Sequence, residues 1–206
     1  MKREEKNSIS LQKILENATQ EFARQGYGLS SVNTICSTGG ISKGILYHYF
    51  KDKDELYLAC LKSCFDRLTA ALREWAEDGE GTADECLERY FNARLAFFEK
   101  NSQMLPLFCE AVVSPPLHLQ EAIRGIKADF DALNISVLTA LLEKLPLQSE
   151  VTTDEVVEVF RLYQDFINAR CRMDRYGSNE WKQREQVCKR SLHILLYGVV
   201  ERGDRV

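Results

Sequence analysis

The sequence predicts an all-α protein of about nine helices, and three observations carry that expectation. Apolar residues recur at i, i+3 and i+4 through most of the chain. Only 4 prolines interrupt 206 residues, so long stretches lack any helix breaker. Strand-like alternation is absent throughout. Hydrophobic residues at 45% and charged residues at 28% can build a core without disulfides or metals.

The first helix is expected from Ile9 to Gln25, with Ile14, Leu15, Ala18 and Phe22 on its apolar face. Gly26 and Gly28 follow where a C-terminal stop belongs. Ser30 or Ser31 offers an N-cap to a short second helix through Val32, Ile35 and Cys36, which Gly39 and Gly40 end. Ser42 caps a third helix running to Phe50. Asp52 and Asp54 open a fourth that reaches about Glu77, where acidic side chains suit the helix dipole.

The middle is helical too. Asp84 to Lys100 carries Leu87, Phe91, Leu95 and Phe98. Pro106, then Pro115 and Pro116, set off a short helix from a long one over Leu117–Lys144. Pro146 and the following polar residues form a loop. Thr153 or Asp154 caps the next helix, which ends near Tyr176 and Gly177, and the last runs from Asn179 to Arg202.

No run approaches the roughly 20 apolar residues of a membrane span, and the N-terminus has no apolar signal core. The 7 cysteines are odd in number, form no C-x-x-C pair and fall mostly at apolar helix positions. They read as reduced thiols of a cytoplasmic protein. His48, His118 and His193 have no metal-ligand spacing. With no H-E-x-x-H, P-loop or G-x-S-x-G, neither an enzyme nor a metal or other cofactor is expected.

Net charge is −4, but its distribution is uneven. Residues 1–60 hold 8 Lys/Arg against 7 Asp/Glu, and the remaining 146 hold 19 against 24. A nucleic-acid surface requires a local basic patch, not a basic protein.

That patch centres on GISKGILYHYFKDKDEL, residues 40–56. Two short helices joined by a glycine-containing turn form a helix-turn-helix pattern, a weak signal alone. The third helix strengthens it. Lys43 stands on the first turn, within reach of a phosphate or a guanine edge. Gly44 permits close backbone approach. Leu46 and Phe50 lie four apart and serve as anchors, leaving Tyr47 and His48 to face a groove and its walls. Lys51 and Lys53 add charge at the mouth of the fourth helix. Ile45 either packs in the domain or presses on a thymine methyl.

Residues 9–58 resemble the DNA-binding domain of the TetR family of bacterial transcriptional regulators. The likeness rests on FARQGY, on the SKG-x-LY-x-YF helix and on the following K-D-E-L. It implies a helix-turn-helix DNA-binding domain over 1–53 and a larger helical ligand-binding and dimerisation domain over 54–206. It also implies DNA contacts at Ser31, Ser42, Lys43, Gly44, Tyr47, His48 and Lys53, joined by Asn33. Gly39 departs from the family, which commonly has alanine there, so a looser turn is expected.

The last helix has two adjacent apolar stripes: Cys188, Leu192, Leu195 and Val199, and Val187, Ser191, Ile194 and Gly198. Such a helix is buried on more than one side. It is either the centre of a monomeric bundle or an interface, where Ser191 and Gly198 allow close approach. The resemblance favours a homodimer and hence a palindromic operator. It also implies a small-molecule effector pocket in the middle helices. Candidates are Phe65, Phe91, Arg94, Phe98, Met104, Phe108, Phe130, Asn134, Tyr163, Phe166 and Arg170; many of them are equally readable as plain core. The expected function is a homodimeric repressor released from double-stranded DNA by its effector. The alternative is a helical small-molecule carrier or adaptor without DNA binding, which leaves Lys43, Tyr47, His48 and Lys53 without a role.

Overall fold

The computed structural model describes residues 3–76, 80–147, 149–171, 183 and 186–194. The helices are α1 (Arg3–Leu29), α2 (Val32–Gly39), α3 (Lys43–Tyr49), α4 (Lys53–Ala76), α5 (Ala83–Lys100), α6 (Met104–Val113), α7 (Gln120–Leu142) and α8 (Thr153–Cys171). A 3₁₀ turn, Leu117–Leu119, precedes α7, and residues 186–194 are helical. No strand element occurs among the described residues.

Helix α1 starts at Arg3 rather than Ile9. The residues Arg3, Glu4, Glu5 and Lys6 are good helix formers, which an apolar periodicity does not register. At Gly26 the backbone leaves the helix with φ 70°, and Ser30 N–H donates to Gly26 O at 3.2 Å. A positive φ of this kind favours glycine, so the expected stop falls on the expected residue.

The turn between α2 and α3 is built from Gly40, Ile41 and Ser42. Gly40 adopts φ 57° as the C-cap, and its N–H donates to Cys36 O and Ser37 O. Ile41 N–H also reaches Cys36 O at 2.9 Å. Gly39 is buried, and a Cβ there would lie 2.8 Å from Ile41 Cδ1 and 2.9 Å from Asn17 Cγ. The missing methyl is thus replaced by the Ile41 and Asn17 side chains, and the turn is filled rather than loose.

Pro106 sits in the first turn of α6, where its missing N–H costs no helical hydrogen bond. Pro116 caps the 3₁₀ turn, with Leu119 N–H on Pro116 O at 2.9 Å. The α-helix expected from Leu117 therefore begins only at Gln120.

Two compact units emerge, one of residues 1–67 with 98–128 and one of 68–97 with 129–206. In the first, Ile14, Ala18, Phe22, Ile35, Leu46, Leu56, Tyr57 and Phe65 are buried. Phe22 meets Tyr57 edge-on at 5.0 Å between ring centres. Residues 54–67 and 98–128 thus share a core with the three N-terminal helices. In the second unit, Leu72, Leu87, Tyr90, Phe91, Phe130, Leu138, Val156 and Leu192 are buried.

Candidate nucleic-acid interface

Two serines initiate the paired short helices. Ser31 Oγ accepts Asn33 N–H at 3.2 Å, and Ser42 Oγ accepts Ile45 N–H at 3.2 Å. Capping uses an oxygen lone pair and leaves each hydroxyl proton available to a phosphate oxygen. Ser42 is exposed, Ser31 half-buried and Asn33 exposed.

Helix α3 separates anchor from display. Leu46 is fully buried and Phe50 only 7% exposed. Around them Lys43, Gly44, Ile45, Tyr47 and His48 all face solvent, with Ile45 at 45% and Tyr47 at 50% exposure. Ile45 therefore does not pack in the domain. Lys51 is exposed as well.

Lys53 has a different setting. Its ammonium donates to Tyr27 O at 2.8 Å and to Ser30 O at 3.4 Å, and it lies 4.2 Å from the centre of the Tyr27 ring. It satisfies carbonyls left open where α1 ends, so a phosphate would have to share it.

Carboxylates that sequence reasoning passed over hold this surface in place. Glu21 is 7% exposed; it accepts Ser31 N–H at 3.2 Å and pairs with Arg24 at 2.9 Å. Glu110, on α6, accepts Tyr27 N–H at 3.0 and 3.2 Å through its two oxygens and the Tyr57 hydroxyl at 2.8 Å. The Tyr57 hydroxyl titrates well above the usual tyrosine range, first through burial and then through Glu110. The Tyr27 hydroxyl donates to Asp54 and is pushed up to about 12, by desolvation and then by that hydrogen bond. His118 Nε2 lies 3.1 Å from Asp54 and 3.3 Å from the Tyr27 oxygen. Nothing local marks Glu110 in sequence, since its partners lie 53 and 83 residues away.

Residues 14–60 match the family model described as "Bacterial regulatory proteins, tetR family". That segment contains α2 and α3 whole, with the serine caps and the exposed α3 face. These residues therefore carry a DNA-binding domain of the TetR-family type. It is 30% identical over 131 residues to the HTH-type transcriptional regulator RutR of Escherichia coli K12, covering 63% of this chain and 61% of that one. The chain thus spans about three-fifths of the length of that curated relative. The HTH-type transcriptional repressor AcnR of Corynebacterium diphtheriae is 36% identical over 67 residues, 32% of this chain and 35% of that one. The fold extends further than the sequence match. The fatty acid degradation regulator FadR from Bacillus halodurans superposes with a TM-score of 0.66 at 18% identity, over 92% of this chain and 99% of that one. FadR from Bacillus subtilis, solved with stearoyl-CoA, gives 0.63 at 18% identity, over 91% and 98%. The TetR-family architecture, an N-terminal helix-turn-helix followed by a helical remainder, therefore holds for this chain.

The expected effector residues fall in both units. Phe65, Phe98, Met104 and Phe108 are buried in the first, with Phe108 5.5 Å from Phe65 and 5.1 Å from Phe98. Phe91, Arg94, Phe130, Asn134 and Tyr163 belong to the second. There Tyr90 donates its hydroxyl to Asn134, and the Arg94 guanidinium lies 5.7 Å from the Phe130 ring centre. The side chains of Phe166 and Arg170 lie outside the described residues, as do those of Gln164 and Asn168.

Of the expected interface residues, Leu192 is 6% exposed and sits in its own unit's core, while Cys188 and Ser191 are half-buried. The exposed stripe is the neighbouring one: Val187 at 46% and Ile194 at 59%. Leu195, Gly198 and Val199 lie outside the described residues. No group of three or more potential metal ligands, and no helix long and apolar enough to cross a membrane, occurs among the described residues.

Proposed function

We propose that the chain is a homodimeric DNA-binding repressor of the cytoplasm, without enzymatic activity, that holds a palindromic operator until a small molecule releases it. One observation carries the reading. Helix α3 is capped and anchored by buried Leu46 and Phe50, yet holds Lys43, Gly44, Ile45, Tyr47 and His48 in solvent. Exposing an isoleucine and a tyrosine on one rigid face has no folding benefit, and it suits a surface that docks into a major groove. Residues 1–53 form the reading head in this proposal and 54–206 the effector and dimerisation region.

The residues divide by role. Ser31, Ser42, Lys43, Tyr47 and His48 donate to phosphates, and Asn33 joins from α2. Gly44 admits the backbone to the duplex, and Ile45 meets a thymine methyl. Lys53 acts first as the clamp between α1 and α4 and reaches DNA second.

Helix α4 is continuous from Lys53 to Ala76 and links head to effector region. On its second half Thr69 Oγ1 and Trp75 Nε1 are buried without a hydrogen-bond partner among the described residues. Such groups are costly unless something pairs with them, and a bound effector with polar atoms would do so. FadR from Bacillus subtilis, which shares the fold, is solved with stearoyl-CoA, and this supports the reading. An effector that prefers one placement of α4 would shift the head by its differential affinity.

The dimer reading rests on exposed apolar groups on the last helices. Val159 and Leu162 on α8 are 46% and 61% exposed, and Val187 and Ile194 are exposed in the helix over 186–194. We place the partner on these residues, with Cys188 and Ser191 at their edge.

The test is selection from a randomised DNA pool followed by affinity measurements across salt. An enriched palindrome is expected, with log Kd rising by about 0.9 per contacted phosphate for each log unit of salt. No enriched sequence, or binding indifferent to salt, refutes the reading.

A further inference from the structure

The backbone departs from α1 geometry at Gly26, whose φ is 70°, and α2 starts only after Ser31, its N-cap. Residues 27–31 are the strap that joins the kink to α2. Three amides of the strap are held: Tyr27 N–H by Glu110 at 3.0 Å, Ser30 N–H by Gly26 O at 3.2 Å and Ser31 N–H by Glu21 at 3.2 Å. The first turn of α4 grips the strap at two points. Lys53 Nζ donates to Tyr27 O at 2.8 Å, and Asp54 Oδ1 accepts the Tyr27 hydroxyl.

A third element reaches the same place. The 3₁₀ turn Leu117–Leu119 is stiff, because Pro116 fixes its own φ at −54° and its carbonyl accepts Leu119 N–H at 2.9 Å. Leu119 is buried, but Leu117 is 84% exposed, so the placement of the turn owes nothing to Leu117. Between them His118 sets its ring against Tyr27, with 5.6 Å between ring centres. Its Nε2 lies 3.1 Å from Asp54 Oδ2 and 3.3 Å from the Tyr27 oxygen. A carboxylate only accepts, so Nε2 carries a proton and donates to Asp54, in the neutral ring as in the charged one. One carboxylate thus joins the turn through one oxygen to the strap through the other.

We propose that His118 is a positioning residue for DNA binding: through Asp54 and Tyr27 it locks the strap that carries the Ser31 cap, and so holds α2 and α3 in the placement that fits the duplex. The inference rests on the reading of α3 as the helix that enters the groove. His118 lies 64 residues beyond Asp54 and touches no DNA in this assignment. Its effect is on populations. Without the lock the strap samples other placements, and apparent affinity falls in proportion to the fraction that still fits. His118 is 55% and Asp54 36% exposed, so their bond adds little to global stability, yet it selects among local placements of the strap. Losing a bond of this kind leaves about one molecule in five in the fitting placement, which is a fivefold rise in Kd.

Two measurements on the full chain test it, each on wild type, His118→Ala and His118→Gln: hydrogen exchange without DNA, and affinity across salt for the sequence enriched from the randomised pool. In His118→Ala the Tyr27, Ser30 and Ser31 amides should exchange about fivefold faster, with the α5 amides unchanged. Kd should rise about fivefold, the slope of log Kd against log salt should match the wild type, and Tm should stay within about 2 °C. His118→Gln, whose amide N–H donates to Asp54 in place of Nε2, should restore most of both the exchange rate and the affinity. An unchanged exchange rate across residues 27–31 overturns the lock. Faster exchange in α5 as well marks a general loss of stability and overturns it too. A slope lowered by about 1 makes His118 a phosphate contact, and unchanged affinity beside faster exchange removes its role in DNA binding; either result overturns the positioning assignment. A wild type that enriches no sequence refutes the DNA reading instead, and the exchange rates still decide whether His118 holds the strap.

Discussion

Replacing Glu110 by alanine removes the acceptor that three hydrogen bonds share. Its oxygens take Tyr27 N–H at 3.0 and 3.2 Å and the Tyr57 hydroxyl at 2.8 Å. Tyr57 is fully buried, so its hydroxyl loses its acceptor with no water to replace it, at about 1–3 kcal/mol. Tyr27 is half-buried, and solvent recovers part of its N–H bond, leaving a loss of about 1 kcal/mol. Together the change should cost about 3 kcal/mol, which for a chain of this size lowers Tm by roughly 6–12 °C. Thermal unfolding followed by circular dichroism gives the number. Tyr57→Phe isolates the cause, because it deletes the hydroxyl that needs the carboxylate. In that background Glu110→Ala should cost at least about 1 kcal/mol less than in the wild type, a coupling typical of residues in contact. A Tm for Glu110→Ala within about 1 °C of wild type, or strictly additive effects of the two substitutions, would refute the reasoning.

Other perturbations probe other parts of the molecule. Lys43→Ala should weaken operator binding and reduce the salt slope by about 1, measured by fluorescence anisotropy; an unchanged slope removes Lys43 from the phosphate contacts. Ile194→Glu should convert the dimer to monomer in sedimentation, since an unpaired carboxylate is costly to bury, whereas a persistent dimer moves the interface elsewhere. Gly26→Ala should destabilise by about 1–2 kcal/mol in denaturant melts, because a side chain at φ 70° is strained and its Cβ would lie 3.2 Å from Glu110 Oε1. Alkaline titration tests the tyrosines. The folded pKa of Tyr27, about 12, lies above its ordinary 10.0, so its contribution is complete below pH 10 and is lost as pH rises towards 12. Tyr27→Phe should flatten stability across that window, and an unchanged pH profile would contradict the assignment.

Much of the candidate interface was legible because its signals are local. Ser31 and Ser42 sit where N-caps belong, Gly26 and Gly40 take the positive φ their positions require, and Leu46 and Phe50 share one helical face. Each depends on neighbours within a turn or two of helix, which spacing reveals. The supports of that interface were not legible. Lys53 reads as one more cation for DNA, yet its ammonium meets Tyr27 O and Ser30 O, 26 and 23 residues away. Asp54 reads as a dipole-favouring residue, yet it also receives the Tyr27 hydroxyl and lies within 3.1 Å of His118 Nε2.

The last helices show the same division. Periodicity found two apolar stripes between 187 and 199, but a stripe alone does not say which side its own subunit covers. Tertiary packing takes Leu192 inward and leaves Val187 and Ile194 in solvent. The sequence by itself determined the all-α class, the helix-turn-helix and the face that α3 displays, because caps, glycine dihedrals and helical period act over a few residues. Only the tertiary structure decided that Glu21 receives Ser31 N–H, that Glu110 receives Tyr27 N–H and the Tyr57 hydroxyl, that Lys53 is a clamp, and that Cys86 meets Lys144 from 58 residues away. A charged side chain chooses its partner by proximity in space, and proximity in space exists only once the helices have packed.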